Sequence, residues 1–152
     1  PIFTPSTKAD VGHDQNVNQK YVVDLVGRNI AEQLKKISIE VYKRASLHAL
    51  EKGIIIADTK FEFGVHNNRI IIIDEVLTPD SSRFWPLADY ACGASVVSFD
   101  KQFARDYLEG IDWDNPPAPE IPAEIIEKTS LKYLEAYQRI TGKTLQDIDE
   151  NL

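Results

Sequence analysis

Between Gly53 and Arg83 the sequence GIIIADTKFEFGVHNNRIIIIDEVLTPDSSR sets acidic side chains into two strongly apolar runs, where an ordinary sheet would not place them. Successive side chains of a strand point to opposite faces. Ile54, Ile56, Asp58, Lys60 and Glu62 therefore share one face of the first run, and that face turns from apolar to charged halfway along. In the second run Ile70, Ile72, Asp74 and Val76 share a face. If the runs pair as an antiparallel hairpin with Glu62 opposite Asp74, two like charges face each other, which destabilises a sheet unless a cation intervenes. Lys60 supplies one positive charge. A divalent metal such as Mg²⁺, which takes a few protein oxygens and leaves its other positions to water and phosphates, suits the pair Glu62 and Asp74. The alternative is a solvated charged face on an edge hairpin. The continuation Leu77-Thr78-Pro79-Asp80-Ser81-Ser82-Arg83 is a polar loop with hydroxyls and a guanidinium fork, chemistry that fits a phosphate or carboxylate; its bland reading is a Pro-Asp turn before a capped helix.

The elements that must position these groups follow from periodicity. The linker Gly64 to Arg69 is turn chemistry and reads as the bend of a hairpin. An odd loop, Asn67 to Arg69, is expected, because an even Asn67-Asn68 loop would set Glu62 against Ile73 and cost the buried faces their match. From Asn18 to Lys52 the apolar spacing is that of one long helix, with Gly53 as its stop and Gly27 marking close packing or a local bend. Its apolar stripe is expected to lie across the sheet, and His48 reads as a helix-terminal residue. Phe84 to Val97 reads as irregular chain with aromatic anchors, and Ser98 as the N-cap of a helix over Phe99 to Glu109. Lys101 and Arg105 share one face of that helix. The proline-rich stretch 110–122 is a surface loop, and the last helix runs from Ala123 to Thr141, with Ile125, Thr129, Tyr133, Tyr137 and Ile140 as its stripe and Gly142 as its end. The fold class is α+β, with helices packed against an antiparallel sheet.

Composition narrows the function. The chain has 152 residues, 43% hydrophobic and 27% charged, enough for one domain with a real core. A net charge of −7 argues against a nucleic-acid surface, which needs clustered Lys and Arg. No run approaches the roughly 18 apolar residues that cross a bilayer, so no membrane role is expected and the cytoplasm is the default. A single cysteine, Cys92, rules out an internal disulfide and is expected to fill space in a loop. The absence of Met and the start inside a polar, aperiodic segment lead to the expectation that more chain lies upstream. His13 beside Asp14 does not make a catalytic triad, since neighbours rarely point together and no nucleophile is evident.

ADTKFEFG at Ala57 to Gly64 and IDEVLTPDSSRFW at Ile73 to Trp85 resemble the phosphoribosylaminoimidazole-succinocarboxamide synthase (SAICAR synthetase) family of purine biosynthesis. PIFTPSTKADVGHDQN, FDKQFARDYL and IPAEIIEKTSLKYLEAYQRITGK extend the likeness along nearly all of the chain. The resemblance covers the C-terminal part of that enzyme. It implies an ATP-grasp-like fold whose N-terminal lobe, with the phosphate loop and much of the nucleotide pocket, is a partner outside residues 1–152. It implies an ATP-dependent ligase that joins L-aspartate to carboxyaminoimidazole ribonucleotide. Glu62 and Asp74 would then bind Mg²⁺, with Lys60 contacting the same developing charge. Asp58 and Asp80 would orient the nucleotide substrate, Ser81, Ser82 and Arg83 would hold its anionic groups, and Lys8, Asp14 and Arg105 would lie toward ATP or the acyl phosphate, with Asp100 and Lys101 nearby. The rival readings are a metal-dependent phosphohydrolase and a non-catalytic nucleotide- or metal-binding lobe.

Overall fold

The computed structural model describes residues 1–8, 12, 14–93, 98–99, 101–113 and 117–146. His13 and Asp100 lie outside the described residues, as do parts of the loop 110–122 and of the tail. In chain order come α1 (Gln19–Val26), α2 (Arg28–Glu51), β1 (Ile54–Thr59), β2 (Glu62–His66), β3 (Arg69–Ile73), β4 (Ser82–Pro86), a 3₁₀ turn at Leu87–Asp89, α3 (Gln102–Gly110) and α4 (Ala123–Thr141). The chain divides into two compact units, Pro1–Ala45 with Phe61–Asp74, and Ser46–Lys60 with Glu75–Leu152. The class is α+β, with antiparallel strand pairs and packed helices.

In the first unit the expected single helix is two. Gly27 stands at φ 83 and ψ 152, and its N–H closes α1 onto the Val23 carbonyl before α2 begins. Nothing lies within 4 Å of where a Cβ would sit, so the glycine is there for its backbone angle and not for close packing. Asn18 caps α1 by accepting from the Tyr21 N–H. The stripe expected to pack is only partly covered: Leu25 is exposed and Ala31 buried in this unit, and where α2 continues into the second unit Leu47 is exposed and Ala49 buried. Residues 5–7 and 15–17 are two arms of an excursion, pinned to each other: Thr7 N–H donates to the Gln15 carbonyl at 2.9 Å and Val17 N–H to the Pro5 carbonyl at 2.9 Å.

The β2–β3 hairpin corrects the expected register. Glu62 pairs with Ile73 and His66 with Arg69, leaving the even loop Asn67-Asn68. Both loop residues have positive φ, 49 and 58, the conformation that primed two-residue turns require and that Asn tolerates. An odd loop suits one unbroken strand from Ile54 to Phe63. That run breaks at Lys60 and Phe61, so only the five residues of β2 have to match β3.

In the second unit β1 pairs instead with β4, a strand expected to be irregular chain. Ile54 and Ile56 oppose Pro86 and Phe84, and Ile54, Ile56 and Phe84 are buried. Burying a side chain such as Phe84 contributes about 1.5–3 kcal/mol. Ser98 does not cap α3. Its hydroxyl and the Phe99 N–H both donate to the Phe84 carbonyl, at 3.0 and 2.8 Å, so the segment extends the β4 edge and α3 starts only at Gln102. The buried Phe99 ring is held by α4, with Lys132 Nζ 5.3 Å and the Arg139 guanidinium 4.9 Å from its centroid. Glu135 accepts from both cations. Helix α4 ends at Gly142 in the left-handed conformation, as expected. Cys92 is exposed and does not fill space. No helix among the described residues is long and apolar enough to cross a membrane.

Candidate functional site

Within the second unit, a polar cavity of about 260 Å³ is lined by Asp58, Pro79, Asp80, Ser81, Ser82, Arg83, Lys101 and Arg105. A bulge in β1 builds its first wall. Ile56 opposes Phe84, but the next pair is Asp58 with Arg83, so Ala57 is an extra residue and the strict alternation expected from Ile54 to Glu62 fails. Residues directly opposite on paired strands share a face. Asp58 thus joins Arg83 on the exposed face, while Thr59 and Ser82 pair on the covered one.

Arg83 grips Asp58 with Nε at 3.0 Å from each carboxylate oxygen, and its Nη2 also donates to Oδ2. Lys101 donates to Asp80 Oδ1 at 2.6 Å. Hydrogen bonds from Arg83 hold the Asp58 carboxyl below the usual carboxylate range, against partial burial and with help from the Arg105 charge. Lys101 does the same for Asp80, again with Arg105 contributing through space. The cleft thus lines up three cations, Arg83, Lys101 and Arg105, beside the carboxylates of Asp58 and Asp80, with Glu75 behind Asp80.

The serines differ from expectation in where their hydroxyls go. Ser82 is 4% exposed and donates to Thr59 Oγ1 at 2.8 Å. Ser81 Oγ accepts from the Thr78 N–H at 3.2 Å. Thr59 and Thr78 were not singled out in the sequence, although a hydroxyl opposite a hydroxyl in the right register would have been the signal for Thr59. Lys60 is exposed, and its backbone N–H donates to the Ser81 carbonyl at 3.1 Å, tying the end of the loop to β1.

In the first unit Lys8 forms an ion pair with Glu62, whose side chain is only 14% exposed. The long-range pairing of Lys8 with a candidate metal ligand had no signature in the sequence. Asp14 is exposed on the returning arm of the same excursion, beside Gln15. Asp74 does not face Glu62. It lies one residue past Ile73, exposed, with φ 63, where the chain leaves the strand and alternation ends. Among the described residues no group of three or more His, Cys, Asp or Glu side chains could hold a metal unaided. Glu62 and Asp74 stand at the same end of the hairpin, with Glu62 engaged by Lys8.

The SAICAR synthetase family model matches residues 1–119. The chain belongs to the SAICAR synthetase family. It is 57% identical over 145 residues to the phosphoribosylaminoimidazole-succinocarboxamide synthase of Geobacter sulfurreducens, covering 94% of this chain and 49% of that protein. The solved SAICAR synthase from Saccharomyces cerevisiae complexed with SAICAR superposes with a TM-score of 0.83 at 45% identity, covering 95% of this chain and 47% of that one. A SAICAR synthetase in complex with ADP matches with a TM-score of 0.69 at 27% identity, over 95% of this chain and 52% of that one. The chain thus spans about half the length of the SAICAR synthetases it matches.

Proposed function

We propose that this chain forms the C-terminal part of a cytoplasmic, ATP-dependent ligase that joins L-aspartate to carboxyaminoimidazole ribonucleotide, giving SAICAR, ADP and phosphate in de novo purine biosynthesis. The observation that carries the reading is the cationic cleft of Arg83, Lys101 and Arg105 on a chain of the SAICAR synthetase family. The reaction gathers a triphosphate, a ribose phosphate and several carboxylates, so it needs fixed positive charge more than a protein nucleophile. An imidazole carboxylate oxygen attacks the γ-phosphorus of ATP and ADP leaves. The aspartate amine then attacks the acyl carbon, phosphate departs, and the amine loses a proton.

Arg83 holds an anionic group of the nucleotide substrate with its planar fork, and Asp58 and Asp80 set the pose of Arg83 and Lys101 while orienting polar groups of the same substrate. Ser81 and Ser82 shape the loop that carries Arg83. Lys8, Asp14 and Arg105 would each serve ATP or the acyl phosphate, and Lys60 the charge that develops on the imidazole carboxylate. Glu62 and Asp74 would hold Mg²⁺ arriving with ATP, which neutralises the triphosphate. The experiment is turnover by the whole protein that contains this chain, with carboxyaminoimidazole ribonucleotide, ATP and aspartate. SAICAR and ADP should form in equal amounts, only when aspartate is present. ATP hydrolysis indifferent to aspartate would instead establish a phosphohydrolase.

A further inference from the structure

Between β3 and β4 the chain must turn and deliver Asp80 and Arg83 into the cleft. Leu77, a bulky non-glycine residue in that turn, has φ 57, a conformation that persists only where its surroundings hold it. The holding bonds converge on Thr78. Its hydroxyl donates to the Glu75 carboxylate and accepts the Ser81 N–H at 3.2 Å. Its own N–H donates to Ser81 Oγ at 3.2 Å, which closes a ring of reciprocal bonds. Beyond the ring, Ser81 is tied to Lys60 through its carbonyl and Ser82 to Thr59 through its hydroxyl, so the loop is fastened to itself at one end and to β1 at the other.

Thr78 also divides its side chain between two environments. Its hydroxyl serves the loop, while the residue lines an apolar groove with Leu77, Phe84 and Ile125. Valine would keep the shape there and lose only the bonds.

We propose that Thr78 is a positioning residue: without touching substrate, its hydroxyl sets the loop so that Arg83 and Asp80 stand preformed in the cleft. The kinetic part rests on the ligase reading above, and the loop part does not. A bond between a hydroxyl and a carboxylate sets the scale. In the whole protein Thr78→Val should raise KM for carboxyaminoimidazole ribonucleotide about tenfold. Its kcat, and KM for ATP and aspartate, should stay within about twofold of the wild type. Thr78→Ser, which keeps the hydroxyl, should restore the nucleotide KM. Amide hydrogen exchange at Ser81 and Lys60 should quicken in the valine variant and return in the serine variant.

An unchanged nucleotide KM in Thr78→Val overturns the proposal, as does a loss confined to kcat. Failure of Thr78→Val to fold also overturns it, since the hydroxyl would then be a structural group only. Unchanged exchange at both amides overturns it whatever the substrate is. If the wild type makes no SAICAR, the ligase reading falls by itself and the exchange comparison still decides the role of Thr78.

Discussion

Arg83 clasps Asp58 side-on, its Nε 3.0 Å from both carboxylate oxygens, in a pair whose members are each about half exposed. So open a pair contributes at most about 1 kcal/mol to stability, so the proposed binding role of the guanidinium can be tested apart from folding. Replacing Arg83 by Lys keeps the charge and loses the fork. Under the proposed ligase reading, KM of the whole protein for carboxyaminoimidazole ribonucleotide should rise roughly 10- to 100-fold, with the melting temperature almost unmoved. Steady-state kinetics beside a thermal melt checks both, and an unaltered KM would remove Arg83 from the binding site.

Acid should find the same cleft. Asp58 and Asp80 are both held below their ordinary value of 3.8 by their cationic partners. A carboxyl whose folded pKa is depressed contributes stability above its unfolded pKa and loses it as pH falls through the folded one. The unfolding free energy from urea titrations should therefore decline as pH drops below about 4, by less than about 1 kcal/mol for each group because both are open to solvent. Asp58→Asn together with Asp80→Asn should flatten that part of the curve; an equally steep decline in the double variant would assign it to other carboxylates.

At the hairpin, Asp74→Asn would exchange the proposed anionic ligand for a neutral one at a position with φ 63 that Asn tolerates. Metal-free stability should change by less than about 0.5 kcal/mol, as for an exposed substitution. The magnesium-dependent rate of the whole protein should fall by about 100-fold or more. A magnesium titration of the rate, paired with melts in chelator, separates the outcomes: a normal magnesium response with a large loss of stability would make Asp74 structural.

What could be read in advance was local. Gly53 and Gly142 end their helices, and the α4 stripe falls at Ile125, Thr129, Tyr133, Tyr137 and Ile140, all half-buried, because each signal lies within a few residues of what it determines. The cleft gathers Asp58, Asp80 and Arg83, all singled out in the sequence, and the last two were legible together because only two residues separate them. Register was not legible, because the partner of β1 is β4, separated by the whole β2–β3 hairpin, and a bulge leaves no mark in the apolar pattern. Ser98 looked like a helix cap and is a strand-edge hydroxyl, since the competing acceptor, the Phe84 carbonyl, comes from 14 residues away. Lys8 and Glu62 meet across 54 residues, beyond any spacing rule.

The turn at Asn67-Asn68 offers a stability test free of the chemistry. Both residues adopt positive φ, where glycine has no steric cost. Asn68→Gly should raise stability by about 0.5 kcal/mol, while Asn68→Val should lower it by about 1–2 kcal/mol. Denaturant midpoints for the two variants check the sign of each, and a stabilising valine would refute the turn assignment.

The extra residue Ala57 makes β1 a strand with two halves of opposite parity, each paired with consecutive residues of β4. Deleting Ala57 would join those halves in plain alternation and still leave Asp58 opposite Arg83 and Thr59 opposite Ser82. What would swap the two faces is to keep Ala57 and straighten the bulge, which turns the Asp58 charge toward the covered face and strands the Ser82 hydroxyl. For this segment, then, what is heritable is an offset and not a length: a strand one residue shorter without the bulge presents the same side chains as the present strand with it.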